Sequence, residues 1–476
     1  MVIKDLNSLK KIFKKVKKPI FGAGVYAFDR LGPEEFIPNY KILSLYWSEE
    51  TNLIKKDLPV FCLEEKIKRR LHPKNSSTLL SHPETQKYLS RFIRPLILVY
   101  KSSKRMENIV QKSQSKIAIP PHFFGKKLFE DKIKFRKILK KIKVQATPGN
   151  IFPLSVVNTR SFFKFQKAFG SPFVIQHPRR GGGKGTFFVR NKEDFQQALE
   201  SIKEESPKEI IVAKFINGPS PSITGCVTKF GILSTYPQYQ ICDIPILYPR
   251  FRGSGLFCGH DWSAANFSKN ILTQAKEIVE RVGNYFKNCG YRGIFGIDFV
   301  EDRKKEKLYV TECNPRLLGS LPTLTMVEIK KGITPIIAFH ILEYLEIPYD
   351  IDVEKILKIL WQKREGAQMI LHNPFQREAV QKGEVRPGIY RTGNSNERSV
   401  ASKLEFLRPG YKFSHFKKKG EILLTEGLQK KGKKIEPYQR LTRILTQERV
   451  LDTSLRDITP KTEKLIKSVL DKFKII

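Results

Sequence analysis

Near the middle of the chain two apolar runs flank a wholly charged stretch. Gly293 to Glu301 reads GIFGIDFVE, Lys307 to Asn314 reads KLYVTECN, and Asp302 to Glu306 between them is DRKKE. Runs this rich in β-branched and aromatic residues, joined by a short polar turn, are expected to form an antiparallel hairpin. Each run is interrupted by an acid, Asp298 in the first and Glu312 in the second. Side chains alternate along a strand, so Asp298 shares a face with Gly296 and Val300, and Glu312 with Val310 and Asn314. A turn centred near residue 305 sets Asp298 opposite Glu312. Two carboxylates and an amide oxygen then meet within an apolar sheet, where unpaired charge is costly. Hard oxygen ligands of this kind suit Mg²⁺, which also takes phosphate oxygens and water. Two surface acids on an ordinary hairpin are the plain alternative, and the apolar surroundings argue against it. Arg316, just past Asn314 and Pro315, offers a guanidinium that can hold a carboxylate bidentately or stabilise an oxyanion.

A second constraint lies upstream. Pro172 to Gln176 reads as a strand, Thr186 to Arg190 as another, and between them runs Arg179-Arg180-Gly181-Gly182-Gly183-Lys184-Gly185. Without Cβ atoms the backbone N–H groups of Gly181, Gly182 and Gly183 can approach phosphate oxygens, with three cations alongside. A strand follows the loop where a Walker A loop would start a helix, so this is a hairpin loop of another kind. Asn191 is placed to cap the next helix, with Asp194 in its first turn. Glu209 to Ile216 reads as a further strand.

The rest of the chain gives organisation more than chemistry. Its 476 residues suggest three domains. Lys41 to Trp47, Leu58 to Leu63, Pro95 to Tyr100 and Lys116 to Ile119 read as strands of an N-terminal α/β region. Leu6, Leu9, Ile12, Phe13 and Val16 line one side of a basic amphipathic helix. Gly22-Ala23-Gly24-Val25-Tyr26-Ala27 fits the dinucleotide fingerprint formally, but Gly32-Pro33 soon interrupts the following helix, and a structural glycine turn is the better reading. Residues 125–141 have helical apolar spacing, and Ile271 to Phe286 is the clearest helix, stopped by Gly290. Beyond Asp350 short strands at Gln368–His372, Gly388–Tyr390, Lys403–Leu407 and Gly420–Thr425 and a helix from Thr459 suggest a separate α+β domain without legible chemistry.

The formal charge of +40 favours acidic partners. The lysines are spread along the whole chain, as on solvated helix faces, and no RNA-recognition, helix-turn-helix or zinc-finger signature appears. No apolar stretch is long enough to span a membrane. Six scattered cysteines without a Cys-x-x-Cys pair argue against zinc and for a reduced cytoplasm.

Taken in order, an α/β start, a lysine-bearing helix, strand–glycine loop–strand, a strand ending in a hinge, and an acidic hairpin ending Glu312-Cys313-Asn314-Pro315-Arg316 resemble the ATP-grasp superfamily, and within it the carboxylate–amine ligases. The resemblance runs from about Phe124 to Glu346. It implies a multidomain α/β and α+β protein. A Rossmann-like pre-ATP-grasp domain would occupy residues 1–123. An ATP-grasp fold, two α+β subdomains gripping ATP, would occupy 124–348 with its lid at about 145–216. A small α+β domain of unknown role would occupy 349–476. It implies ATP and Mg²⁺, or Mn²⁺, as cofactors. Lys132 then resembles the first phosphate lysine, and Gly181 to Lys184 the lid over the phosphates. Lys214, Phe215 and Ile216, after Ala213, resemble the adenine hinge. Asp298, Glu312 and Asn314 resemble the metal ligands, and Arg316, with Lys184, the catalytic cations. Gln176 stands where the family usually has a second ATP lysine, and Ala213 where an acid often receives the adenine amino group.

The reaction so implied joins a carboxylate, activated as an acyl phosphate, to an amine such as an amino acid, with release of ADP and phosphate. Leu317-Leu318-Gly319-Ser320 after Arg316 departs from the biotin-carboxylase pattern, and the D-alanine-ligase ending and a second ATP-grasp copy are absent. Asp243, Tyr248, Arg250, Arg252, Ser254 and His260 are acceptor-site candidates, with Gly253-Ser254-Gly255 as a loop over the substrate and His260 as a candidate general base. Two other readings stay open: an ATP-binding protein that has lost catalysis, favoured by Gln176, and a basic protein associated with nucleic acid. A homodimer is compatible with any of the three.

Overall fold

The computed structural model describes residues 2–112, 115–249, 255–393 and 404–476, and only the backbone of 125–127. Arg250, Arg252, Gly253, Ser254 and Lys403 lie outside the described residues.

The N-terminal region is a five-stranded parallel sheet ordered Val60–Cys62, Tyr40–Ser44, Ile20–Gly24, Leu96–Val99, Lys116–Ile117. The helix Leu6–Lys14 buries Leu9, Ile12 and Phe13 and turns its lysines outward, as its amphipathic spacing requires. The glycine turn after the central strand serves packing. A Cβ on Gly22 would sit 2.0 Å from the Tyr40 hydroxyl, and one on Gly24 2.8 Å from Asp29 Cβ. Asp29 Oδ2 accepts from the N–H groups of Val25 and Tyr26, both at 3.0 Å. The amides that would greet a phosphate are thus already bonded.

A four-stranded antiparallel sheet follows, ordered Gly149–Pro153, Glu209–Lys214, Phe173–Gln176, Thr186–Val189. Helices Ser161–Phe169 and Lys192–Lys203 cover it. Phe162, Phe165, Phe173 and Phe195 interlock in its small core. Asn191 Oδ1 accepts from Asp194 N–H at 2.8 Å and caps the second helix, as its sequence position predicts.

Among the described residues an eleven-stranded sheet spans the rest of the molecule, beginning with the predicted hairpin, Lys307–Asn314 beside Gly293–Asp302. Next come Pro221–Val227, Gln238–Cys242 and Phe257–Asp261, from a segment in which the sequence reading places no strands. Phe257–Asp261 pairs with Ala367–His372, and that strand with Arg440–Thr446. The sheet therefore runs without a break across the expected boundary at residue 348, and the C-terminal strands are its second half. One apolar core, from Phe129 through Phe286 to Phe473, binds both halves. The helix Lys269–Asn288 packs on it through Ile271, Ala275, Val279, Val282 and Phe286. The predicted helix over 125–141 divides into helical turns at Phe123–Phe129 and a helix Lys132–Lys141, whose N-cap is Asp131.

Candidate active site

The hairpin register places Gly296 opposite Asn314 and Asp298 opposite Glu312. An irregularity follows at once, because Phe299 pairs with Val310 and leaves Thr311 as the extra residue. Such a bulge shifts the alternation beyond it. Val310 therefore leaves the face of Glu312 and joins Phe299 in the buried core, which corrects the expectation that the two share a side. The Thr311 hydroxyl donates to Asp298 O at 3.0 Å and closes the bulge.

Asp298 is held from two sides. Asn314 Nδ2 donates to its Oδ2 at 2.8 Å, and Gln240 Nε2 to its Oδ1 at 2.5 Å. Even so, burial and then the nearby Glu312 carboxylate push the Asp298 carboxyl up to about 7. Glu312 meets Lys132 Nζ at 2.9 Å. Asp131 sets this lysine at the helix start by accepting from the N–H groups of Ile133 and Lys134. The same ammonium donates to Arg180 O at 2.8 Å, at the foot of the glycine loop.

Arg316 is densely bonded. Its Nε donates to Glu130 Oε1 at 3.1 Å, Nη2 to Asn314 Oδ1 at 2.6 Å and Nη1 to the Tyr100 hydroxyl at 2.5 Å. Its guanidinium lies 4.6 Å from the Tyr100 ring centroid. Glu130 also pairs with Lys101 at 2.6 Å, and the two cations overcome its burial to hold its carboxyl below the usual range.

The glycine loop is a tight turn with Gly182 at φ +65° and Gly183 at φ +79°. His177 anchors its base: Nδ1 accepts from Arg179 and Arg180 N–H, both at 3.2 Å. Arg180 is drawn outward to Glu204, Glu205 and Ser201. Gly183 comes so near Leu256 that an added Cβ would sit 2.9 Å from its Cα.

A cavity of about 470 Å³ gathers these parts. Gln176, Gly182 and Gly183 line it from the lid, Lys214, Phe215 and Ile216 from the hinge, and Asp298, Glu312, Asn314 and Arg316 from the sheet. Gly181 and Lys184 lie exposed on the outer part of the loop, away from the wall, and Lys132 reaches the site through Glu312. Gln176 Nε2 turns to Thr186 Oγ1 at 3.4 Å, and Phe215 packs edge-on against Phe188, with ring centroids 5.1 Å apart. Of the acceptor candidates, Asp243 and His260 line the cavity. Tyr248 stacks on His372 at 4.0 Å instead. Asp243 is committed to its own loop, accepting from the N–H groups of Gly255 and Leu256.

Sequence reasoning missed Gln240, Glu130 and Tyr100. Alternation in Gln238-Tyr239-Gln240 was the available signal for Gln240. It also missed Leu455 and Arg456, which line the cavity from the C-terminal segment, with Arg456 bonded to Asn217 beside the hinge.

Residues 129–320 match the family model described as the ATP-grasp domain. The chain contains an ATP-grasp domain. Around it, over 96% of this chain, the fold resembles the biotin carboxylase domain of Hydrogenobacter thermophilus 2-oxoglutarate carboxylase, solved with MgADP and bicarbonate (TM-score 0.57, 15% identity, 90% of that chain). It also resembles carboxyaminoimidazole ribonucleotide synthase from Aspergillus clavatus, solved with ATP (TM-score 0.54, 14% identity, 96% of this chain and 99% of that one). In sequence it is similar to the carbamoyl phosphate synthase large chain of Clostridium acetobutylicum, 23% identical over 241 residues, 49% of this chain and 20% of that one. It is also similar to the formate-dependent phosphoribosylglycinamide formyltransferase of Prochlorococcus marinus, 26% identical over 172 residues, 34% of this chain and 38% of that one. The matched region thus spans well under half the length of either relative. The lid and hairpin that wall the cavity are parts of the ATP-grasp domain, and among the described residues no helix is long and apolar enough to cross a membrane.

Proposed function

We propose that this protein is an ATP- and magnesium-dependent ligase that activates a carboxylate as an acyl phosphate and passes it to an amine. The observation that carries the reading is the facing pair Asp298 and Glu312 on the wall of the lid-covered cavity. Two opposed acids in a largely apolar sheet repel, and the Asp298 carboxyl is raised first by burial and then by that repulsion. A divalent cation relieves it. Asp298 and Glu312 fit such an ion, and the Asn314 amide oxygen would join them by giving up the bond it accepts from Arg316. When bound, the ion would neutralise charge on the phosphates during transfer.

The chain's own groups would do the rest by positioning and electrostatics. Lys132 would exchange part of its contact with Glu312 for a phosphate oxygen. Gly182 and Gly183 would bring backbone N–H groups over the phosphates, and Phe215 and Ile216 would flank the base. A substrate carboxylate oxygen would attack the γ-phosphorus as the bond to ADP breaks. An amine nitrogen would then attack the acyl carbon, losing a proton as phosphate leaves. Arg316 would supply positive charge where the carboxylate reacts. Lys184, outside the cavity wall in this arrangement, would take part only with the lid drawn further in.

Support also comes from the nucleotides in the two solved structures named above. Small carboxylates and amines are the substrates on this reading, the cytoplasm its setting, and a homodimer its open assembly option. The test is ADP and phosphate release from MgATP across a panel of carboxylates and amines, with Glu312→Ala alongside. Release that needs both partners and disappears in the variant supports the ligase. Nucleotide binding without turnover on any pair points instead to an ATP-binding protein without catalysis, the reading that Gln176 favours.

A further inference from the structure

One wall of the cavity carries His260, on Phe257–Asp261, the strand that borders the C-terminal half of the large sheet. Its ring lies against Trp262, centroids 5.6 Å apart, and tilts against Phe257 at 4.9 Å. Its Nδ1 is 2.9 Å from Gln368 Nε2 on the neighbouring strand. The orientation of that amide follows from its other end. Gln368 Oε1 faces Arg443 Nη1 and also receives the Thr323 hydroxyl at 2.6 Å. A guanidinium has only donors, so the atom facing it is the oxygen, and the NH₂ group faces His260. Nδ1 must then accept, and the ring proton resides on Nε2, the nitrogen left for the cavity.

The chain of contacts continues. Arg443 Nε donates to Glu426, which Arg440 also holds, and Arg443 Nη1 reaches Gly319 O at 3.4 Å. Gln368 and Glu426 are fully buried and Arg443 nearly so. Burial and the Arg443 charge push the His260 imidazole down to about 3. Ser320 also lines the cavity, and its hydroxyl is buried without a protein partner.

We propose that His260 is a neutral hydrogen-bond donor, fixed as its Nε2–H tautomer by the Glu426–Arg443–Gln368 chain, and that with Ser320 it binds an oxygen of the carboxylate substrate. This rests on the ligase reading. It replaces the general-base role expected for His260, because the free nitrogen carries a proton and cannot accept one. It also separates the two substrates, since an ammonium group would meet an N–H donor there with the Arg443 cation behind it. The C-terminal strands thereby acquire a role, which is to set the polarity of the substrate wall.

The test begins with ¹⁵N NMR of the histidine-labelled protein. His260 is expected to show a protonated Nε2 and a bare Nδ1, with no titration between pH 5 and 8, a range chosen to straddle the ordinary histidine value. A ring protonated on Nδ1, or one titrating in that range, overturns the proposal. Gln368→Glu is the second arm. A carboxylate there accepts from Nδ1–H and leaves Nε2 a bare acceptor. The KM for the carboxylate is expected to rise about tenfold or more, while the MgATP dissociation constant stays within about twofold. A switched tautomer with unchanged carboxylate KM overturns the proposal. Where that variant does not fold, His260→Ala and His260→Gln serve, since glutamine can restore an N–H and is expected to recover affinity that alanine loses. Equal losses in both overturn the proposal. Absence of MgATP binding by the wild type would remove the ligase reading, which the tautomer measurement does not depend on.

Discussion

Lys132 Nζ stands 2.9 Å from Glu312 Oε2 and 2.8 Å from Arg180 O. One buried ammonium thus ties the acidic hairpin to the foot of the glycine loop, so that lid and sheet share a charge. With the ammonium buried and the carboxylate partly so, this salt bridge is costly to break from one side, because the carboxylate left behind keeps its charge. Lys132→Met leaves Glu312 facing Asp298 with Arg316 as the remaining nearby cation. Nucleotide affinity measured by calorimetry in Mg²⁺ is expected to fall about 10- to 100-fold, the scale of one lost charge-assisted contact. Unchanged affinity would show that Lys132 only braces the fold.

The glycine loop makes a prediction by contrast. Gly183 adopts φ +79°, and its Cβ would meet the Leu256 backbone at 2.9 Å, whereas a Cβ on Gly181 meets nothing within 4 Å. Gly183→Ala is expected to push the loop off Leu256 and weaken nucleotide binding about tenfold, with the global unfolding temperature barely moved, because the loop is exposed. Gly181→Ala is expected to be nearly silent. Parity between the two variants in a binding assay would mean that the close approach to Leu256 has no part in binding.

The hairpin was legible because its signal is local: alternation, a charged turn and a chosen centre place Asp298 against Glu312. The bulge at Thr311 was not legible, since an extra residue in one strand leaves no mark in the hydrophobic pattern. The lid strands and the cap at Asn191 were readable for the same local reasons. The strands between Pro221 and Asp261 were not legible because they are interior to a wide sheet and carry small and polar residues such as Ser222, Thr224, Gly225, Gln238 and Gln240. Their partners, Gly293–Asp302 and Ala367–His372, lie far along the chain. The continuity of the sheet past residue 348 is likewise a long-range pairing. The bonds from Arg316 to Glu130 and Tyr100 belong to this class, joining residues 186 and 216 positions apart.

Gln176 gives a prediction of gain. It lines the cavity opposite Thr186 and carries no charge where related proteins were expected to have lysine. Gln176→Lys places an ammonium on a wall that faces the proposed phosphates. Nucleotide affinity is expected to rise about five- to tenfold at low salt, with the gain reduced at high salt as screening grows. A loss of affinity at every salt concentration would indicate that the phosphates do not pass this wall.

The last prediction concerns pH and the seam between the N-terminal sheet and the C-terminal strands. Glu50, on the helix Glu49–Asp57, is fully buried. Its Oε1 accepts from the Ser48 hydroxyl at 2.5 Å and from Gly427 N–H at 2.8 Å, while Oε2 is buried without a partner. Burial outweighs these bonds and pushes its carboxyl up to about 7 from 4.5. The folded state therefore holds a proton that the unfolded chain releases near its ordinary value. The contribution of this group to stability is fully present below pH 4.5 and declines as pH rises through about 7, where the folded protein must also ionise it. Glu50→Gln keeps the acceptor for Ser48 and Gly427 and removes the charge. The variant is expected to gain on wild type as pH rises from 5 to 8, by an amount on the order of a few kcal/mol in denaturant unfolding. Parallel pH profiles for the two proteins would show that Glu50 does not carry the proton, and the search would pass to Glu34, whose carboxyl burial also pushes up to about 7.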